Sequence, residues 1–271
     1  MRTVPTVSII MPAYNAHATI EGAISSIQNQ TYKDWELLIL DDGSTDRTAD
    51  KVEAFKDTRI KYYKSTKRLG IAGRLNEGIL MAKGKYVARM DADDVSLSAR
   101  IEKQVTFMEE HSEIDLLGTS IIAISRNGTF LHEYICPSTH QELVSNLSCG
   151  IPLYHSTWLG KKEWFLKWRY RKRFFKYGGE DFDLLLRSLS VSNFACLDEP
   201  LLAYRYVLSI KRMSCNSLLM FVSLARHKYW KYLFLVIPKF LPRLIMASTY
   251  LTIKRMKHRS MFKEQAWKEA E

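Results

Sequence analysis

The chain contains little cysteine, glycine or proline. Its 271 residues include four cysteines, 12 glycines and seven prolines. The cysteines form no C-x-x-C pair and lie far apart, which argues against zinc ribbons, thioredoxin-like redox sites and disulfide frameworks and favours a reducing compartment; they are Cys136, Cys149, Cys196 and Cys215. With 46% hydrophobic and 25% charged residues, the composition excludes collagen-like and disordered chains and is typical of a globular protein with its own core.

Segments that would indicate several other classes of protein are also missing. Neither G-x-G-x-x-G nor G-x-x-x-x-G-K-[ST] follows a predicted strand, which argues against dinucleotide-binding and P-loop enzymes. The N-terminus contains only the short apolar run Val7 to Met11, so no signal peptide is predicted. Basic side chains interrupt the apolar C-terminal region before an uncharged span of about 18 residues accumulates, and no transmembrane helix is predicted. We therefore expect a cytoplasmic protein.

The net charge of +11 is concentrated at the C-terminal end. Residues 205–271 contain 14 Lys and Arg against three Asp and Glu, whereas the preceding residues contain 26 of each sign. A terminal basic segment is typical of an anchor for an anionic surface and does not favour nucleic acid as a partner. Because residues 217–237 also have an apolar stripe at helical spacing, we expect residues 217–259 to attach peripherally to the inner face of the cytoplasmic membrane. A stripe that packs on the rest of the chain or forms a dimer would have the same pattern.

Short apolar runs alternate with helical patterns through the first half of the chain. This order predicts an α/β fold in which helices cover a mostly parallel central sheet. The predicted strands are residues 7–11, 35–40, 60–63 and 86–90, and the predicted helices are residues 19–28, 46–55 and 72–82. Beyond them we expect a helix over 98–110, a strand over 115–124, a hairpin at Asn127-Gly128 and a loop that opens a helix at 178–184.

An acidic cluster, Asp91-Ala92-Asp93-Asp94, follows the fourth predicted strand. Asp91 and Asp93 are two residues apart, so in an extended backbone their carboxylates project from the same face. Two adjacent anions repel each other unless a cation lies between them, and oxygen ligands suit Mg²⁺ or Mn²⁺. The pattern therefore predicts a divalent metal that bridges to a diphosphate. An exposed Asp-rich turn that caps the next helix would have the same sequence.

Two further segments follow the first and second predicted strands, at the edge where open α/β sheets bind ligands. Pro12-Ala13-Tyr14-Asn15 contains a ring that can stack on a nucleotide base. Asp41-Asp42-Gly43-Ser44 contains carboxylates that can accept hydrogen bonds from a base N–H or from ribose hydroxyls. A Pro-Asn turn and a helix N-cap turn would account for the same two segments.

In order and spacing these segments resemble family 2 glycosyltransferases of the GT-A fold. The resemblance covers residues 6–205 and is carried by VSIIMPAYN (7–15), WELLILDDGSTD (35–46), LGIAGRLNEG (69–78), GKYVARMDADD (84–94) and GGEDFDLLLR (178–187). It implies one GT-A domain with a nucleotide-sugar-binding half, residues 1–105, and an acceptor-binding half, residues 106–205. The basic helical tail would then be residues 206–271.

The resemblance also implies roles for individual residues. Tyr14 lies beside the base, Asp42 reads the base edge, Asp91 lies near the ribose and diphosphate, and Asp93 holds the metal with Asp91. The other residues implied in nucleotide-sugar binding are Pro12, Ala13, Asn15 and Arg74, and Arg74 could neutralise the diphosphate together with Lys67 and Arg68.

Asp181 matches the position of the catalytic base in this family, with Glu180 in a supporting role. A carboxylate there could take the proton of an attacking acceptor hydroxyl. An acidic helix N-terminus, favourably placed on the helix dipole, would have the same sequence. Tyr204-Arg205 is not followed by the histidine that many relatives carry, so no histidine ligand is implied. His155 resembles another family position and is left out of the metal set.

We therefore expect an inverting, metal-dependent glycosyltransferase that moves one sugar from a nucleotide-diphospho-sugar, with a UDP-sugar as the expected donor, to a lipid-linked or surface-polysaccharide acceptor. The Gln-x-x-Arg-Trp signature of processive synthases is absent, which favours transfer of a single sugar. An NDP-sugar nucleotidyltransferase would also use carboxylates and a metal, but residues 13–18 lack its Gly-rich basic loop. A non-catalytic module that binds anionic surfaces or nucleic acid would show salt-dependent binding without turnover.

Overall fold

Buried strands alternate with amphipathic helices along the N-terminal part of the chain. The computed structural model describes residues 4–146, 153–171 and 179–206. Each helix and strand predicted within this region is found, with ends shifted by at most two residues. The N-terminal elements are β1 (Val7–Ala13), α1 (Ile20–Gln28), β2 (Trp35–Asp41), α2 (Thr48–Glu53), β3 (Ile60–Lys64), α3 (Gly70–Met81) and β4 (Tyr86–Arg89).

The remaining described elements continue the sheet and its helical cover. They are β5 (Val95–Ser96), α4 (Arg100–Glu110), β6 (Leu116–Ile124), β7 (Phe130–Tyr134), α5 (His140–Ser145), a 3₁₀ turn (His155–Thr157), β8 (Leu159–Lys161), α6 (Lys162–Trp168), α7 (Glu180–Ser188) and β9 (Phe194–Arg205). The predicted division of the domain at residue 105 falls inside α4. Apart from Gly179, the described residues belong to one compact unit.

All nine strands of the described region form one sheet in the order β3-β2-β1-β4-β8-β6-β9-β5, with β7 paired to β6. β3, β2, β1 and β4 lie side by side in that order, and each is parallel to its neighbour. β8 is antiparallel to both β4 and β6, whereas β6 and β9 are parallel. The expected mostly parallel α/β sheet is confirmed, and the mixed pairing is confined to the second half.

Helices on the sheet make the central strands fully buried. Every residue of β2 is buried, which is why this strand has a continuous apolar run in place of an alternating pattern. α1 places Ile20, Ala23, Ile24 and Ile27 in the core, each with no exposed surface. These are the residues that recur at helical spacing in the sequence.

The sequence pattern did not reveal β9, the longest strand of the described region. Its twelve residues include the exposed pair Asp198-Glu199 and then Pro200, where pairing with β6 shifts register. The apolar run is therefore interrupted at the bulge. The predicted hairpin at Asn127-Gly128 is confirmed, because β6 and β7 pair antiparallel around Gly128, whose φ is 83°.

The expectation that the cysteines form no disulfide is wrong for one pair. Cys136 and Cys196 form a disulfide, with Cα atoms 6.3 Å apart and 60 residues between them in sequence. Cys136 follows β7 and Cys196 lies in β9, and both strands pair with β6. The sheet topology, which spacing does not reveal, brings them together. The cysteines therefore no longer support the expectation of a reducing compartment.

The predicted membrane-binding tail, residues 217–259, lies outside the described residues. Within the described part of the chain, no helix is long and apolar enough to cross a membrane.

The turn between α3 and β4 is packed against the backbone of β1. Ser8 Oγ accepts hydrogen bonds from the N–H groups of Lys83 and Gly84, at 2.9 and 2.8 Å, and donates to Glu36 Oε1 at 2.7 Å. A Cβ on Gly84 would lie 2.6 Å from the Ser8 nitrogen and 2.8 Å from the Thr6 oxygen. Because these are backbone atoms, a side chain here forces the strand ends apart.

We predict that Gly84→Ala lowers the free energy of unfolding by about 1–3 kcal/mol, the usual cost of overpacking. The matched control is Gly22→Ala on the exposed side of α1, where no described atom beyond the adjacent residues and the nearby helix backbone lies within 4 Å of the new methyl group. That substitution should stabilise the protein by about 0.5–1 kcal/mol through helix propensity. Urea unfolding of the full chain measures both values, and equal effects of the two substitutions would contradict the prediction.

Candidate active site

The residues predicted to bind the nucleotide converge at one edge of the sheet. β2 and β4 both pair with β1 in parallel, so the carboxyl ends of the three strands lie at the same edge. Tyr14, Asp42 and Asp91 follow these ends. Pro12 and Ala13 are the last two residues of β1, which is therefore two residues longer than predicted.

Asn15 joins the loop after β1 to the loop after β2. Its backbone has a φ of 48°, in the left-handed region that Asn tolerates better than most residues. Its N–H donates to Ser44 Oγ at 2.9 Å, and its Oδ1 accepts from the Thr45 N–H at 2.9 Å. These bonds hold the two loops together beside Tyr14, and contact between Asn15 and a nucleotide stays a prediction.

Asp42 is buried and ties the end of β2 to the start of α3. Its Oδ1 accepts from the Leu69 N–H at 2.6 Å and from Arg74 Nε at 2.9 Å, and its Oδ2 accepts from the Gly70 N–H at 3.0 Å. Burial opposes the charge on Arg74, but hydrogen bonds to Glu77 and Asp42 raise the Arg74 pKa on balance. With its side chain only 3% exposed, Arg74 positions Asp42 and does not face solvent.

A guanidinium covers one face of the ring that is predicted to stack on the base. Arg68 Cζ lies 3.7 Å from the centroid of the Tyr14 ring, and Arg68 Nε lies 3.9 Å from Asp42 Oδ2. The Arg68 side chain is 62% exposed, so it can move away from Tyr14 without losing buried contacts. A base that stacks on this face of Tyr14 must displace Arg68.

Three carboxylates form a cluster after β4. Asp91, Asp93 and Asp94 each place one oxygen within 4.8 Å of the others. Although Asp93 is exposed, partial desolvation and the charge of Asp91 raise its pKa. Burial, with the charges of Asp91 and Asp93, raises the pKa of Asp94 to about 7. A divalent cation among these oxygens would relieve the repulsion.

Asp94 is the member of the cluster that the predicted metal set omitted. It is 1% exposed, and its Oδ2 is buried with no hydrogen-bond partner among the described residues. Its Oδ1 accepts from the Arg205 N–H at 2.8 Å, and Arg205 Nε also donates to the Asp93 carbonyl at 2.8 Å. The third Asp of the motif was visible in the sequence, but the role of Arg205 depends on β9 and was missed.

Arg89 neutralises part of the cluster from beneath. Its Nη2 lies 2.5 Å from Asp91 Oδ1, and its Nη1 donates to Ser156 Oγ at 2.6 Å. Ser156 Oγ in turn donates to Asp91 Oδ2 at 3.0 Å. Burial opposes the charge on Arg89, but the nearby carboxylates raise its pKa. Asp91 is thus held from two directions, and sequence reasoning did not identify Arg89 or Ser156.

His155, which the predicted metal set leaves out, is enclosed by aromatic residues. Its Nε2 lies 2.7 Å from the hydroxyl oxygen of Tyr170. Its ring packs edge-on against Trp158, with the ring centroids 4.5 Å apart. Desolvation and the charge of Arg89 lower the pKa of His155 well below its usual value, so the ring is neutral.

Glu180 and Asp181 begin α7, as predicted, and lie near the carboxylate cluster. Glu180 is 5% exposed, and within the described region its Oε2 has no hydrogen-bond partner. Burial, the charge of Asp181 and that of Asp91 raise the pKa of Glu180 to about 7. Asp181 is half-buried, and its Oδ1 accepts from the Phe182 N–H at 2.8 Å. The charges of Asp91, Glu180 and Asp181 all act on Tyr170, so the two acidic segments share one region.

We predict that Glu180 makes stability fall as the pH rises. The folded state keeps the Glu180 proton up to a pKa of about 7, whereas the unfolded chain loses it near 4.5. The contribution to stability is therefore complete below 4.5 and is lost as the pH rises through about 7, by about 1–3 kcal/mol. This part of the pH dependence should be absent from Glu180→Gln, as urea unfolding at several pH values would show.

The control is Glu163→Gln on the exposed surface of α6. It should keep the pH dependence of the unsubstituted protein. The prediction is wrong if Glu180→Gln has the same dependence as that control.

Sequence comparison places the chain among known glycosyltransferases. Residues 8–178 match the family described as glycosyl transferase family 2. A UDP-Glc:alpha-D-GlcNAc-diphosphoundecaprenol beta-1,3-glucosyltransferase of Escherichia coli is 38% identical over 147 residues, which cover 54% of this chain and 56% of that protein. An O-antigen biosynthesis glycosyltransferase of the same species is 34% identical over 213 residues, which cover 76% of this chain and 81% of that protein. The chain spans about half the length of several relatives, the first of these included.

Solved structures have the same fold at lower identity. S. aureus TarS 1–349 in complex with UDP-GlcNAc superposes with a TM-score of 0.64 at 18% identity, covering 88% of this chain and 72% of that one. The mannosyltransferase PcManGT from Pyrobaculum calidifontis, in complex with GDP-Man and Mn²⁺, superposes with a TM-score of 0.64 at 18% sequence identity. The superposition covers 93% of this chain and 76% of that one. The chain has the GT-A fold and belongs to glycosyltransferase family 2.

Proposed function

We propose that this protein transfers one sugar from a UDP-sugar to a lipid-linked glycan precursor, with inversion at the anomeric carbon. The observation that carries the proposal is the proximity of two acidic segments. The two segments come from distant parts of the chain, yet Asp91 of the cluster and the pair Glu180-Asp181 all act electrostatically on the buried Tyr170, and Asp91 also acts on Glu180. One segment suits a diphosphate with its metal, and the other suits an attacking hydroxyl.

The carboxylate cluster fits a Mg²⁺ or Mn²⁺ ion. Its oxygens lie within 4.8 Å of one another, and Asp94 Oδ2 is buried without a hydrogen-bond partner in the described structure. Asp91, Asp93 and Asp94 would hold the ion. When bound, it stabilises the negative charge of the departing diphosphate. Mn²⁺ in the mannosyltransferase of the same fold supports this assignment.

The nucleotide would lie beside the carboxylate cluster, at the carboxyl ends of β1 and β2. Tyr14 offers a ring face once Arg68 moves, and the displaced Arg68 would then neutralise charge on the diphosphate. Asp42, held in place by Arg74, would contact the edge of the base. UDP as the nucleotide is supported by the UDP-Glc in the name of the glucosyltransferase relative and by the UDP-GlcNAc bound to TarS.

Asp181 acts as the general base. The acceptor hydroxyl oxygen forms a bond to the anomeric carbon, the bond from that carbon to the diphosphate oxygen breaks, and UDP leaves with the electron pair. The hydroxyl proton passes to the Asp181 carboxylate, which the N-terminus of α7 favours as an anion. A single displacement inverts the configuration. Glu180, protonated below a pKa of about 7, can donate a hydrogen bond beside this base.

A lipid-linked acceptor is supported by the diphosphoundecaprenol acceptor in the name of the glucosyltransferase relative. Residues 217–259, which are basic and apolar in sequence, would hold the protein at the inner face of the cytoplasmic membrane. That surface would bring the site to the head group of such an acceptor.

We predict that Asp181→Asn lowers transfer by about 10²- to 10⁴-fold, the usual contribution of a positioned general base. The assay follows sugar transfer from UDP-glucose to a synthetic alkyl GlcNAc-diphosphate. Binding of UDP-glucose should be unchanged, because the amide keeps the shape of the side chain. Asp50→Asn, on the exposed side of α2, is the control and should retain activity. Normal turnover by Asp181→Asn would overturn the assignment of the base.

We predict that Asp93→Asn weakens Mn²⁺ binding by at least about tenfold, since even outer-shell substitutions have effects of that size. Electron paramagnetic resonance of free Mn²⁺, titrated with protein in the presence of UDP, measures the affinity without turnover. Asp198→Asn, an exposed substitution in β9, is the control. Equal Mn²⁺ affinity in the two variants would exclude the cluster as the metal site.

A further inference from the structure

Three tyrosine rings lie together in the second half of the sheet. The centroids of Tyr134 and Tyr154 are 5.7 Å apart, and those of Tyr154 and Tyr204 are 5.9 Å apart. His132 extends the group, with its ring 3.9 Å from that of Tyr134. We refer to Tyr134, Tyr154 and Tyr204 as the tyrosine platform.

Strand register explains why these rings share a face. β6 lies between β7 and β9, with Tyr134 opposite Ile121 and Tyr204 opposite Ala123. Ile121 and Ala123 are two residues apart, so they and their partners project to the same side of the sheet. Tyr154 joins them from the segment before the 3₁₀ turn. The rings pack on the core with one side and remain partly exposed.

The platform borders the carboxylate cluster. Tyr204 directly precedes Arg205, whose N–H donates to Asp94 Oδ1 at 2.8 Å. Tyr154 is two residues before Ser156, whose hydroxyl donates to Asp91 at 3.0 Å. Tyr204 is also among the groups whose charge acts on the buried Arg89 beneath the cluster. A molecule that lies on these rings is therefore adjacent to the reacting groups.

The order of the strands distinguishes the platform from the nucleotide site. The cluster follows β4, with β1 and β2 on one side of that strand and β6 and β9 on the other. Tyr14 and Asp42 belong to the first side, whereas the platform belongs to the second. A base bound beside Tyr14 leaves the platform open to the second substrate.

The chemistry of the platform suits a sugar ring. The C–H groups of a pyranose face carry partial positive charge and pack against the negative face of an aromatic ring. Burial raises the pKa of Tyr134 and of Tyr154, so their hydroxyls stay neutral and can both donate and accept hydrogen bonds. An entirely apolar ligand would leave such hydroxyls without partners.

We propose that the tyrosine platform binds the terminal sugar of the acceptor by stacking, on the side of the carboxylate cluster opposite the nucleotide. This assignment rests on the proposed glycosyl transfer, because it identifies the acceptor subsite of that reaction. The ligand class is a pyranose at the end of a glycan or glycolipid head group.

The test is binding of a synthetic alkyl GlcNAc-diphosphate to the full chain, by calorimetry with UDP and Mn²⁺ present. Alkyl Glc- and GalNAc-diphosphates are used in parallel. Tyr154→Leu and Tyr204→Leu keep apolar volume but remove the aromatic face, and they should weaken binding of the probe by about tenfold, equivalent to about 1.4 kcal/mol. Tyr154→Phe keeps the face and should retain most of the affinity. Tyr63→Leu, an exposed tyrosine of β3, should have no effect.

Two results would overturn the assignment. One is probe affinity in both leucine variants equal to that of Tyr63→Leu, while far-UV circular dichroism shows that all are folded. The other is an unsubstituted protein that binds UDP and Mn²⁺ but none of the three probes. Binding of UDP and Mn²⁺, measured separately, tests the proposed function, so that failure of the platform alone is distinguishable from failure of the glycosyl transfer itself.

Discussion

Three carboxylates held within 4.8 Å of one another are the constraint on which the proposed site depends. Such a cluster is electrostatically unfavourable, and the chain compensates with groups from distant positions. Arg89 and Ser156 hold Asp91, and Arg205 holds Asp94 from the far end of β9. Asp94 keeps one buried oxygen without a partner in the described structure, so the compensation is incomplete, which suits the proposed cation. The site is thereby organised before its ligands arrive.

The two sides of this cluster differ in how firmly they are organised. On the nucleotide side, a buried Arg74 fixes Asp42, whereas the exposed Arg68 rests on Tyr14 and can leave it. On the other side, the positions of Tyr134 and Tyr204 follow from strand register. They change only if β6 pairs with β7 and β9 in a different register. The exposed side chain of Arg68 thus covers the proposed nucleotide side, whereas strand register sets the rings on the opposite side.

Sequence reasoning located the first half of the fold and most of the candidate site. It succeeded there because parallel strands covered by helices leave continuous apolar runs, and the site residues directly follow those runs. It missed β9, whose pattern is interrupted at Asp198-Glu199-Pro200, and with β9 it missed Arg205. It also wrongly excluded a disulfide, because Cys136 and Cys196 are neighbours only through β6.

The sequence by itself determined most of the candidate residues, since carboxylates after strands, a ring after β1 and an acidic helix start are local features. The tertiary structure decided which of them act together. It made Arg74 a support of Asp42, added Asp94 to the cluster, paired Arg89 with Asp91, and set three tyrosines side by side. The reason is physical: burial, pairing of opposite charges and strand register depend on contacts between residues far apart in the chain, and no local pattern contains them.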